Sequence, residues 1–213
     1  MKRKLLTAAL FTLTALLILW GVQRIDTALT IVAHNSNRIC RGQTFAIVEE
    51  AVLAMEAEAR AEYDSSLDFC PPYELKHTFE CTGTTVLLLS YCEDYDGQVA
   101  KHLAVHALRH DSEGRLYFDG AFCLLRLSPW QSSDNHDYFF TSLMTDGGLR
   151  TLTLLCLPEG STQEVLIDGV KAEQTPVTID GKNFILCHAL TAPDSFFRKL
   201  STPVTQRRQV EIK

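Results

Sequence analysis

The chain has 213 residues, with 20 Lys+Arg against 26 Asp+Glu and a net charge of −6, and 46% of its residues are hydrophobic. That balance excludes a nucleic-acid binder held by a basic surface, and the absence of any low-complexity tract argues against long disorder. Seven cysteines are present, none in a C-x-x-C pair, so neither a structural zinc site nor a thioredoxin-like redox pair has support.

Lys2, Arg3 and Lys4 open the chain, and the next charged residue is Arg24. The 18 uncharged residues from Leu5 to Val22 would rise about 27 Å as a helix, close to the thickness of a bilayer's hydrocarbon. Leu5, Leu10 and Leu16 supply its apolar surface, and Trp20 sits where an indole suits the membrane interface. The three leading cations predict a cytoplasmic amino terminus and an exported carboxyl-terminal part, a single-pass protein of the cell membrane. A cleaved signal peptide is the competing reading. Its apolar core is ordinarily shorter, and no clean small-residue cleavage site follows here. Without Lys2, Arg3 and Lys4, 17 basic residues face 26 acidic ones, so the exported part carries a net of −9 and should avoid anionic headgroups.

Residues 23–43 read as a polar linker. From Thr44 to Tyr63, Phe45, Val48, Val52, Met55 and Ala59 recur at three- and four-residue steps, which predicts one amphipathic helix with glutamates on its other faces. Ser65-Ser66 and Pro71-Pro72 end it.

From Thr84 the pattern becomes β. Apolar runs over 85–92, 99–110, 115–127, 138–144, 149–157, 164–167 and 183–190 alternate with turn signals such as Asp96-Gly97, Asp146-Gly147-Gly148, Asp168-Gly169 and Asp180-Gly181. Asp119-Gly120 interrupts one run in the manner of a bulge. Short connections make the sheet antiparallel. The expected fold is α+β: after the membrane helix, one amphipathic helix packed on a mainly antiparallel sheet of about eight strands. A β-sandwich with a peripheral helix is the alternative. The domain spans residues 44–192, and a mildly basic tail follows from residue 193.

The order of these parts carries a resemblance. A cationic anchor and a Glu-rich helix precede short strands that include Val165-Leu166-Ile167-Asp168-Gly169-Val170 and Gly181-Lys182-Asn183-Phe184-Ile185. In that order the chain resembles the small membrane-anchored extracytoplasmic proteins of unknown function of Gram-positive bacteria. The resemblance implies location and shape, and no activity.

Candidate chemistry is sparse. His102, His106 and His110 would line one face of a helix and could share a metal ion there. On a strand, neighbours at that spacing stand about 13 Å apart. The alternation around them predicts a strand, so they are weak metal candidates and no metal or cofactor is expected. Glu93, Asp94 and Asp96 lack the spacing of a calcium loop. Cys187 and His188 are adjacent, so on a strand they point to opposite faces. Cys123, Cys156 and Cys187 lie in apolar runs and read as reduced core thiols; if any bridge forms, Cys40 and Cys70 are its candidates. Trp130, Tyr138 and Phe140 flank the longest internal loop and are the candidate ligand-binding residues.

No nucleophile elbow, zincin, P-loop or dinucleotide fingerprint occurs. The expected function is therefore an anchored extracytoplasmic binding or accessory module, non-catalytic, with the bilayer as one partner through residues 5–22 and a protein or cell-wall polymer as another. The alternative is a small-ligand-binding or hydrolytic α+β cone, in which His102, His106 or Glu80 would face a pocket on the concave sheet.

Overall fold

The computed structural model describes residues 2–62, 73–95, 98–126, 138–179, 181–203 and 207–213, with side chains except at 2–8, 91–102 and 123–126. It is an α+β protein with a long apolar N-terminal helix, α1 (Lys2–Ser36), and, among the described residues, eleven strands in three antiparallel sheets. Two compact units divide the chain: Met1–Ala33 with Asp194–Arg207, and His34–Pro193 with Arg208–Lys213.

The first unit contains most of α1 and the short helix α3 (Phe196–Ser201). The helix does not stop at Val22. It runs 35 residues, about 52 Å, so the connector expected from Gln23 is helical as far as Ser36. Thr27 and Thr30 return their hydroxyls to the carbonyls of Gln23 and Asp26, which satisfies them inside a helix. Ser195 caps α3 by accepting from the Arg198 amide. Helix α3 is tied to α1 by three bonds: the Phe196 amide donates to Gln23 Oε1 at 2.9 Å, and Lys199 Nζ donates to Asp26 Oδ2 at 2.8 Å and to Thr30 Oγ1 at 2.9 Å.

The second unit holds α2 (Val48–Glu62) and all the strands. The first sheet orders β1 (Glu74–Glu80), β2 (Thr84–Tyr95), β3 (Gln98–His110) and β4 (Leu116–Arg126). The second orders β5 (Phe139–Thr145), β6 (Gly148–Pro158), β10 (Lys182–Thr191) and β9 (Glu173–Ile179). The third is small: β11 (Val210–Ile212), β7 (Val165–Ile167) and β8 (Val170–Lys171).

Successive side chains of a strand leave opposite faces, and here both faces of the large sheets are filled. Val86 and Leu88 of β2 join Leu152, Leu154 and Leu186 of the second sheet in one buried cluster. Leu87 and Leu89 of the same strand join Ala104, Leu108 and Phe118, with Ala51, Val52 and Met55 of α2, in another. Leu155, Leu157 and Cys187 share a third cluster with Val165 and Ile167 of the small sheet. This is why Val86-Leu87-Leu88-Leu89 reads as a continuous apolar run instead of an alternating one. Each fully buried leucine contributes about 1.5–3 kcal/mol.

The departures from expectation have local causes. Eight strands were expected and eleven are found. β1 was missed because Glu74, Lys76, Thr78 and Glu80 dilute its alternating Leu75, His77 and Phe79. β9 carries Pro176, which ordinarily argues against a strand; it is tolerated because β9 pairs only with β10, at the sheet's edge. The tail from residue 193 holds α3 and β11. Helix α2 begins at Val48, four residues after the expected start, because the backbone of Phe45 exchanges two hydrogen bonds of 2.8 Å with Leu116. The bulge at Asp119-Gly120 is present: the β3–β4 register shifts between His106 and Leu108, opposite those residues. Asp168 and Gly169 both have positive φ, 50° and 78°, in a two-residue turn closing Ile167 onto Val170.

Candidate functional site

A depression of about 630 Å³ is lined by residues 162–164 and 171–175, where β8 passes into β9. Its volume would suit a small ligand, but its lining residues are mostly polar in type and it is open, unlike the apolar clefts that enclose small molecules. Lys171 bridges Glu164 at 3.0 Å across it, with both groups exposed.

Glu173 links this depression to buried titratable groups. Its carboxylate lies 3.4 Å from His188 Nε2, on β10. His188 is buried, and its ring packs on Phe79 of β1 at 4.3 Å between centroids. His77, two residues before Phe79 on the same face of β1, stacks on it at 6.2 Å. One nitrogen of each imidazole, His188 Nδ1 and His77 Nε2, is buried without a hydrogen-bond partner. Burial lowers the His188 pKa, with Glu173 opposing and His77 adding to the fall, and burial also lowers His77. Both rings are therefore neutral near pH 7.

Cys81, just beyond β1, is the thiol that senses Glu173. Burial, then the charges of Glu173 and Glu80, push it up to about 12. A thiol held that far from ionisation is not a nucleophile. Cys40, Cys156 and Cys187 are likewise free and buried, at about 12, 12 and 11, in each case chiefly through desolvation. Among the described residues no three His, Cys, Asp or Glu side chains are placed to hold a metal ion. The cluster offers a carboxylate and neutral imidazoles, a set that can accept or donate hydrogen bonds but lacks an activated attacking group.

The expected site residues fall elsewhere. Trp130 lies outside the described residues. Tyr138 and Phe140 are brought together, with ring centroids 6.5 Å apart, and both engage Arg208. The Tyr138 hydroxyl donates to the Arg208 carbonyl at 3.2 Å, and the Arg208 guanidinium lies 5.0 Å above the Phe140 ring. The same guanidinium, 1% exposed, meets Asp168 Oδ2 at 2.7 Å. These aromatics hold the last strand in place.

His106 and His110 lie on β3, as the strand reading required, and the side chain of His102 is outside the description. His106 is buried against Phe118 and Phe122 at 6.0 and 5.1 Å, and desolvation pushes it down to about 4. His110 Nδ1 pairs with the Gly114 carbonyl at 3.1 Å in a turn. Glu80 accepts from the Thr85 hydroxyl. Of the anchor residues, Leu10, Leu16 and Trp20 are exposed on α1 at 56%, 57% and 61%.

The grouping of His77, Phe79, Glu173 and His188 was not found in the sequence. It joins two sheets, and only the alternation of His77 and Phe79 hints at it. No protein-family model, no curated protein and no solved structure matches the chain, so its fold and its site stand on this geometry alone.

Proposed function

We propose that the protein is a membrane-anchored, non-catalytic binding or accessory module, with its amino terminus in the cytoplasm and its sheet-bearing unit outside. The observation that carries this reading is the state of α1. Within Ala9–Ser36 an 18-residue stretch has a mean hydropathy of 1.5 and no buried residue, and Phe11, Leu17 and Ile18 are at 60% exposure or more. Aliphatic surface on that scale is costly in water and favourable in lipid. The cations before it and the longer polar remainder after it favour the outward orientation.

The binding role rests on what fills the sheets. Leu, Val, Phe and Cys side chains occupy both faces of the first sheet, and α2 contributes Ala51, Val52 and Met55 to the outward one. A polar cavity between sheet and helix has no room among those clusters. The open depression beside Glu173 then becomes the surface best fitted to a polar partner, a protein segment or wall polymer.

The test is a photo-crosslinking residue at Gln174 in the full-length protein in living cells, with a second at Glu113 in a remote turn. A discrete adduct at Gln174 and none at Glu113, from protein that resists alkaline carbonate extraction, is expected. Adducts at neither position would remove the binding surface, and release by carbonate would remove the anchor.

A further inference from the structure

The chain returns to α1 near its far end. Asp194–Arg207 forms one compact unit with Met1–Ala33, and within it α3 has only six residues, too few to hold a helix alone. Its conformation comes from its supports. Ser195 caps its first turn, and Phe196 and Lys199 bond to Gln23, Asp26 and Thr30 of α1. Arg207 closes the other end, donating to the carbonyls of Lys199 at 2.9 Å and Thr202 at 3.2 Å.

Those supports leave two large apolar side chains outside. Phe197 and Leu200, three residues apart and so on one face of α3, are 49% and 71% exposed. The cations between them are already paired: Lys199 meets Asp26 at 2.8 Å, and Arg198 meets Asp194 at 3.8 Å. Helix α3 therefore offers an apolar surface with little net charge. At the same height along α1, Ile25 and Leu29 are each 63% exposed.

The hydrogen bonds to α1 fix that height. Gln23 to Thr30 lies one to eight residues beyond Val22, the end of the uncharged run, or about 1.5–12 Å. A bilayer's headgroup layer is about 5–8 Å deep on each side, and an interfacial helix sinks its apolar face about 5–10 Å into the headgroup–acyl boundary. The two ranges coincide.

We propose that α3 is a second, shallow membrane contact, with Phe197 and Leu200 inserted among the lipids of the leaflet through which α1 leaves. The inference rests on the anchoring reading, because the embedded α1 sets the depth of α3. Lipid is the occupant because Phe197, Leu200, Ile25 and Leu29 stand on two helices at one height and continue the exposed apolar surface of α1 past Val22. The paired charges leave the contact apolar, so it needs no anionic headgroup. The polypeptide leaves the bilayer at Val22 and returns to it at Phe196.

The experiment uses full-length protein reconstituted in phosphatidylcholine vesicles. Single cysteines placed by Phe197→Cys, Leu200→Cys, Leu16→Cys and Glu113→Cys carry a fluorophore, with the labelled unsubstituted chain as background. The lipid carries a nitroxide quencher either near the headgroup end of its acyl chain or near the methyl end. Positions 197 and 200 should lose emission to the shallow quencher and little to the deep one, position 16 should lose it to the deep one, and position 113 to neither. Quenching at 16 with none at 197 and 200 refutes the α3 contact alone, whether water or protein covers that face. Quenching at none of the three refutes the anchor and the contact together. Quenching at 197 and 200 that appears only when phosphatidylglycerol is added overturns the apolar contact in favour of capture by charge.

Discussion

Asp119→Ala is the substitution expected to damage the sheet-bearing unit most for its size. Asp119 is 1% exposed and sits in the β4 bulge. Its Oδ1 accepts from His34 Nε2 at 2.8 Å, and its Oδ2 accepts from the Met144 amide at 3.0 Å. The carboxylate thus ties the last turn of α1 and strand β5 to β4. Alanine leaves both donors buried without a partner. An orphaned buried group costs about 1–3 kcal/mol, so about 4 kcal/mol is expected for the two donors left without a partner. With a urea dependence of about 2 kcal/mol per molar, the midpoint should fall by about 2 M. The assay is urea unfolding of the full chain in mild detergent, followed by far-ultraviolet circular dichroism in the β band. Asp119→Asn, which keeps an acceptor, should lose less than half as much. In a double-mutant cycle, His34→Ala added to Asp119→Ala should cost much less than the two single losses summed. A midpoint for Asp119→Ala within about 0.3 M of the parent chain would show that the carboxylate does not hold these elements together.

Other outcomes follow from the same geometry. His106, neutral in the fold with a pKa of about 4, binds a proton more readily once unfolded, near 6.5. Its stabilising preference for the neutral form is complete above pH 6.5 and is lost as pH falls toward 4, an effect of about 3 kcal/mol; His106→Leu should flatten that part of the stability–pH curve, and an unchanged slope would contradict the burial argument. Gly120→Ala should prevent the native fold of β4, because a Cβ there would overlap the His34 carbonyl oxygen; a wild-type circular dichroism melt would refute this. Arg208→Ala removes the ion pair to Asp168 and the contact with Phe140 and should free β11, read as faster amide exchange at Val210–Ile212 with little change in β2 and β3.

Much of the fold was legible because burial on both faces leaves a plain mark. Val86-Leu87-Leu88-Leu89 and Leu152-Thr153-Leu154-Leu155-Cys156-Leu157 announce strands, and Asp168-Gly169 announces its turn. Helix α1 was recognisable by its missing charges, but its continuation to Ser36 was not: Gln23, Asp26 and Thr30 look like linker until α3 is seen to satisfy them. That pairing spans about 170 positions, and no local pattern encodes it. The candidate site was illegible for the same reason. His77 and Glu173 belong to different sheets, and their shared neighbour His188 becomes informative only once Phe79 is found against its ring. Tyr138 and Phe140 were singled out as aromatics beside a long loop; that both engage Arg208, about 70 positions away, could not be read from the sequence.

The proposed topology puts the strands on the outer side of a bilayer. Glu113 is exposed in the turn between β3 and β4, so Glu113→Cys places a reactive thiol on the sheet-bearing unit. A membrane-impermeant maleimide applied to intact cells should label it fully, above the background of the unsubstituted chain, with no further gain after lysis. Labelling that begins only once the cells are broken would put the strands in the cytoplasm and contradict the proposed topology.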